Sequence, residues 1–216
     1  MSLGRSACRA LLLLVLSVGL LACEDDTGID DPKERAVLFQ LNAVHNGGKT
    51  VRFDPLPIAT HLPADVGSEN EVTEWTQVSG GKVQFTFVGS PPGVGISFRL
   101  ASLADDVCGV TDVEFDNDRI ELADVRLNPR NYRSSGCQRT VTHEAGHAIG
   151  ILDHTSDGGL MDPDGGDGNI TSDVSTMVRN LYSLKPGTQV GLFERGSRAQ
   201  RRGGRYVVTI VDYVRR

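Results

Sequence analysis

His143-Glu144-Ala145-Gly146-His147-Ala148-Ile149-Gly150-Ile151-Leu152-Asp153-His154 is the stretch from which the remainder of the chain becomes readable. On a helix, residues four apart share a face, so His143 and His147 direct their imidazoles to one spot. Two neutral imidazoles suit a zinc ion, which takes four ligands and favours nitrogen or sulfur. Glu144 adjoins the first of them, where a carboxylate can take a proton from a zinc-activated water. Gly150 can adopt φ > 0 and end the helix. The chain can then turn back and bring Asp153 or His154 under the same metal.

The glycine offset and the run Leu160-Met161-Asp162-Pro163 that follows carry a resemblance. Together with H-E-x-x-H they resemble the metzincin clan of zinc peptidases, whose signature is H-E-x-x-H-x-x-G-x-x-H followed by a Met-turn. The L-M-x-P run is similar to the matrixin branch. Aspartate at the third-ligand position is similar to the snapalysin branch. The resemblance spans residues 49 to 184. It implies an α+β fold, with a twisted mixed β-sheet, an active-site helix, a Met-turn and a C-terminal helix. It also implies a zinc-dependent endopeptidase that hydrolyses peptide bonds in proteins, with Glu144 as general base and His143 and His147 as metal ligands. Met161 would form an apolar floor that does not bind the metal. Asp153, ten residues after His143, is the expected third ligand. His154 is the alternative, delivered if the turn holds one more residue. The rival function is a surface lipoprotein acting as a non-catalytic binding module that retains the peptidase fold; an intact Glu144 argues against it.

The chain of 216 residues is 39% hydrophobic and 23% charged, a composition of globular proteins rather than disordered ones. The net charge of −6 is uneven: from Lys185 onward there are eight basic and two acidic residues, which leaves about −12 on the rest. An acidic body argues against nucleic acid as a partner.

Residues 1–22 read as a lipoprotein signal peptide. Arg5 and Arg9 precede an apolar core from Ala10 to Leu21, too short to span a bilayer comfortably. Leu20-Leu21-Ala22-Cys23 resembles a bacterial lipobox, which implies cleavage before Cys23 and lipid on its sulfur. The expected location is the cell envelope, anchored in a membrane through Cys23. Glu24 after the cysteine favours the outer membrane; plain secretion is the alternative. Cys108 and Cys137 are then an even pair in an oxidising compartment and read as one disulfide. The other reading of Cys108 is a thiol switch, since Cys108-Gly109-Val110-Thr111-Asp112 resembles part of the matrixin latency motif.

The remaining expectations divide the chain into an acidic tether at 23–35, a catalytic domain at 36–184 and a basic extension at 185–216. Ala36 to Val44 and Lys49 to Asp54 read as strands, and Asp65 to Gln77 as a helix with Val66, Val72 and Trp75 inward. Val83 to Val88 and Gly95 to Leu100 read as strands. Ile120 to Asn128 reads as an edge strand closed by Pro129; by the resemblance it would form the cleft rim on which an extended substrate pairs. The active-site helix is expected from Cys137 to Ile149 with Ser134 or Ser135 as cap. The last helix is expected from Ile170 to Leu184, capped by Thr171 or Ser172, with Tyr182 in the core. Asp162 to Asn169 offers oxygen ligands of the kind Ca²⁺ takes, without the closing glutamate of an EF-hand loop. Gln189 to Phe193 and Tyr206 to Val214 are expected to form a hairpin around an arginine-rich connection.

Overall fold

The structure is a computed structural model that describes residues 27–163, 166–191 and 199–214. The leader, Cys23 and the arginines at 195 and 198 lie outside those residues. Strands β1 (Ile58–His61), β2 (Phe85–Phe87), β3 (Gly95–Leu100), β4 (Val107–Asp116), β5 (Arg119–Leu127), β6 (Gln200–Arg202) and β7 (Arg205–Tyr213) form one mixed sheet. Its order is β2-β1-β3-β5-β4-β7-β6. The first half is parallel and the second, from β5 to β6, is antiparallel. Helices α1 (Pro32–Leu41), α2 (Glu69–Val78), α3 (Thr140–Ala148) and α4 (Ser172–Leu181) complete an α+β architecture. None of the described helices is long and apolar enough to cross a membrane.

Two expectations fail at the start of the chain. Ala36 to Val44 is not a strand: α1 occupies most of it, and a 3-10 turn, Ala43–Asn46, follows. The start signal is local. Asp31 accepts a hydrogen bond from Lys33 N at 2.7 Å and Pro32 takes the first helical position, a site where its missing N–H costs nothing. Leu38 and Leu41, three apart, supply the buried face. The helix packs on α4, with Asn180 Nδ2 donating to Glu34 Oε2 at 2.8 Å. Lys49 to Asp54 forms only two isolated bridges, Lys49 to Gln189 and Arg52 to Arg119.

The strand expected at an edge is interior. β5 pairs with β3 on one side and with β4 on the other. The reason is β4, a ten-residue strand that the sequence reading does not assign and that returns through a tight turn at Asn117-Asp118. Both turn residues have positive φ, 47° and 67°, as a two-residue hairpin requires. β4 in turn pairs with β7, from Val107 opposite Tyr213 to Phe115 opposite Tyr206. The C-terminal run is therefore part of the same sheet. Its hairpin partner is β6, across Gly203-Gly204, while Gln189 bridges to Lys49. An exposed β6 bearing Arg201 and Arg202 ends the sheet, and charge on an edge discourages further pairing.

Helix α3 packs against β4 and β5, and every one of its residues is buried. Its start is not capped by Ser134 or Ser135. Arg139 holds the N-cap position with φ 59° and makes no side-chain cap bond. Trp75 on α2 is fully buried and donates Nε1–H to Thr142 O at 2.9 Å. A side-chain carbon at Gly146 would lie 2.6 Å from Trp75 Cζ2 and 2.7 Å from Met161 Sδ, so only glycine lets both pack here. α4 matches its expectation closely: Thr171 accepts from Val174 N, and Val174, Met177, Val178 and Leu181 are buried.

Candidate metal centre

Helix α3 places His143 and His147 one turn apart, and each has a fixed tautomer. His143 Nδ1 lies 2.5 Å from Leu160 O, and His147 Nδ1 lies 2.6 Å from Ile151 O. A carbonyl oxygen only accepts, so both Nδ1 atoms carry the proton. In its neutral form, the one that ligates a metal, each ring then presents a bare Nε2, and these two nitrogens face each other at 3.0 Å. Facing lone pairs repel unless a cation stands between them. Anchoring of Nδ1 on backbone carbonyls is the usual means of orienting ligating histidines.

Gly150 ends the helix with φ 110°, as expected. The turn beyond it is held by buried Asn42, whose Nδ2 donates to Gly150 O at 2.7 Å and to Val51 O at 2.8 Å. Leu152 N donates to Leu41 O at 2.6 Å. These contacts accompany a chain return that differs from the one expected. Asp153 stays outside the cluster: its Oδ1 accepts from His154 N at 2.9 Å and its Oδ2 is 3.8 Å from His45 Nε2. His154 turns inward instead. His143, His147, His154 and Asp212 form a group whose ligand atoms all lie within 4.8 Å of one another.

Asp212, from β7, has no counterpart in the sequence reading. Its Oδ1 lies 2.9 Å from His143 Nε2 and 2.6 Å from His154 Nε2, and its Oδ2 lies 3.7 Å from His147 Nε2. One signal for it was available: it is the single acidic residue in the apolar run Val207 to Val214.

Glu144 is directed from helix α3 towards β4, with Asp212 of the cluster beside it. It is fully buried, and the Thr111 hydroxyl donates to its Oε2. The absent side chain at Gly109 leaves room for Oε1. Among the described residues, no N–H or O–H group donates to Glu144 Oε1 or Asp212 Oδ2. Burial, and then the negative Asp212, raise the Glu144 pKa well above the usual carboxylate range, with Thr111 pulling the other way. Burial, and then the charges of His143 and His154, hold His147 at about 3 against the pull of Asp212. Burial opposes charge on His143, but Asp212 outweighs it and raises its pKa. Burial likewise disfavours the Asp212 carboxylate, and the histidines, His143 foremost, hold it well below its usual value.

Bare imidazole nitrogens and a buried carboxylate crowded together are a donor set that fits a divalent cation. Three nitrogens and one oxygen suit zinc among other first-row divalent metals. Calcium prefers six to eight oxygens, and in the expected calcium loop one carboxylate is engaged within the loop. Asp167 accepts from the backbone and side chain of Asn169 at 2.8 and 2.9 Å.

Met161 is fully buried beneath Gly146, and its carbonyl accepts from Thr155 N at 2.9 Å. Tyr182 donates its hydroxyl to Ile149 O at 3.0 Å and belongs to the core. Cys108 and Cys137 form a disulfide that ties β4 to the segment before α3. That bond removes the free thiol a switch at Cys108 would need. No protein-family model matches the chain, and no curated protein matches it in sequence.

Proposed function

We propose that this chain is a zinc-dependent endopeptidase with a metzincin-like catalytic domain. The observation that carries the reading is the pair of bare Nε2 atoms of His143 and His147 facing each other at 3.0 Å. The intervening Glu144 lies buried in the same helix, near the carboxylate that charges the cluster. His143, His147 and His154 would hold the ion, with His154 in the place expected of Asp153. Met161 would be the Met-turn residue, packed under the helix at Gly146. A zinc ion held there supplies Lewis-acid polarisation of the scissile carbonyl and lowers the pKa of a water molecule. Glu144 takes a proton from the attacking water and passes it to the departing amine nitrogen. A carboxyl whose pKa burial has raised is suited to both halves of that transfer. Thr111 fixes one of its oxygens, and Gly109 leaves space for the other. Cys23 would hold the protein at a membrane of the cell envelope.

The test is metal content together with chelator-sensitive hydrolysis of a mixed peptide library. The wild-type chain should contain one zinc and cleave peptides at a low but measurable basal rate; Glu144→Ala should keep the zinc and lose that cleavage. Equal cleavage by the two would overturn the mechanism. One observation favours a second reading: with Asp212 in the group, four protein ligands are at hand, as in structural zinc sites. A non-catalytic zinc-holding lipoprotein would contain the metal and cleave nothing, with or without Glu144.

A further inference from the structure

Strand β7 does two things at the candidate centre, and they coincide. It covers the whole free edge of β4, from Val107 to Phe115, which is the edge that an extended peptide would otherwise pair with. It also delivers Asp212 among the three histidines. The register explains how. Val107 lies opposite Tyr213 and Gly109 opposite Asp212, so Cys108 is an extra residue in β4 at this point. Such a bulge re-aims the neighbouring side chains, and the disulfide through Cys108 fixes its position. Asp212 thereby sits directly across from the glycine that makes room for Glu144.

The surface around β7 agrees. A cleft lined by Cys108, Cys137, Thr140 and His143 reaches Asp212 and Tyr213 from one side. A second, lined by His45, Asp153 and His154, reaches Thr209 to Val211. Cluster residues line both, His143 and Asp212 the first and His154 the second, and β7 contributes to the walls of each.

Resting on the peptidase reading above, we propose that β7 is a built-in inhibitor. Asp212 takes the fourth metal position, where water and the scissile carbonyl would otherwise meet, and the strand occupies the substrate's place along β4. The chain as folded is latent, and activity requires displacement of the β6–β7 hairpin. Val208 and Ile210 belong to the hydrophobic core, so deleting the strand would compromise the fold. Removing the carboxylate alone opens the fourth position and unties the strand from the metal, which shifts molecules towards the displaced, active form without cutting into the core.

The experiment uses the full chain loaded with cobalt(II) as a spectroscopic probe, in wild type, Asp212→Ala and Asp212→Asn. Azide serves as the exogenous ligand, and peptide hydrolysis is followed in the zinc form. The wild-type visible spectrum should ignore azide, whereas both variants should shift with it. Hydrolysis should rise more than about tenfold in the variants if under a tenth of wild-type molecules are open. Identical spectra and azide responses in all three chains would show that Asp212 is not a ligand. Loss of cobalt from both variants with the fold intact by circular dichroism would make Asp212 an indispensable ligand and not a displaceable one. Either result overturns the proposal, as does equal, measurable hydrolysis in wild type and variants. Azide-responsive variants that hydrolyse no peptide would instead leave Asp212 as the fourth ligand while removing the peptidase reading and the latency built on it.

Discussion

The Glu144 carboxylate lies against the bare Cα of Gly109, so closely that a methyl group there would collide with Oε1. A strand residue with no side chain therefore shapes the position of the proposed base. Gly109→Ala should push that carboxylate aside while leaving the histidines in place. Peptide hydrolysis should fall by about a hundredfold, the usual effect of misplacing a reacting group by an ångström, with zinc content unchanged. Stopped assays on the zinc-loaded variant would show this, and full activity in Gly109→Ala would mean that Glu144 is not held where it acts.

Asp153 and His154 are adjacent and should behave oppositely. His154→Ala removes a group whose Nε2 is 2.6 Å from Asp212 Oδ1, inside the cluster. Zinc affinity should drop by more than about a hundredfold, beyond the range typical of residues that only support a ligand. Asp153→Ala removes a group outside the cluster and should retain a full zinc complement. Competition with a chromophoric chelator measures both. A weakened Asp153→Ala with an intact His154→Ala would reverse the assignment.

The pair Cys108 and Cys137, 29 residues apart, joins β4 to the approach of α3. Replacing both with alanine should lower unfolding free energy by about 2–4 kcal/mol, read from the midpoint of a urea titration at unchanged slope. An unchanged midpoint would mean that the crosslink constrains nothing the fold does not already fix.

Asn42 makes three buried hydrogen bonds: two from Nδ2, and one from Val51 N to Oδ1 at 2.8 Å. Asn42→Ala leaves backbone groups of Val51 and Gly150 without partners, and each such loss costs roughly 1–3 kcal/mol. The variant should also bind zinc more weakly, because the turn carrying His154 loosens. Calorimetric unfolding with and without zinc separates the two effects.

The helix face of His143 and His147 was legible because periodicity alone decides which side chains share a face. The helix stop at Gly150 was legible for a similar reason: the residue can adopt a backbone conformation others avoid. The third metal-facing residue was not. Whether Asp153 or His154 turns inward depends on Asn42 and Leu41, more than a hundred residues earlier in the chain. β4 went unassigned because Cys108-Gly109 reads as loop chemistry, yet the glycine is there for Glu144 and the cysteine for Cys137. Asp212 was hidden by the same kind of distance, since only strand pairing puts residue 212 opposite residue 109. The start of α1 was available in Asp31-Pro32 and was masked by the acidic composition around it.

The expectation at Cys23 is checked apart from the fold. Cys23→Ser should abolish lipid labelling and release the protein from the membrane fraction. Labelling that persists in the variant would place the lipid elsewhere or remove it from consideration.

Docking of α1 on α4 and on the turn after Gly150 has a spatial corollary. Ile29, ahead of α1, already packs in the core, and from Cys23 to Ile29 there are six residue steps, which extended span at most about 20 Å. If lipid at Cys23 anchors the chain as proposed, a body held on so short a leash would patrol a shallow shell above the bilayer. Its reachable substrates would be neighbours on that surface, or the membrane-proximal stalks of larger proteins, rather than molecules diffusing freely beyond it.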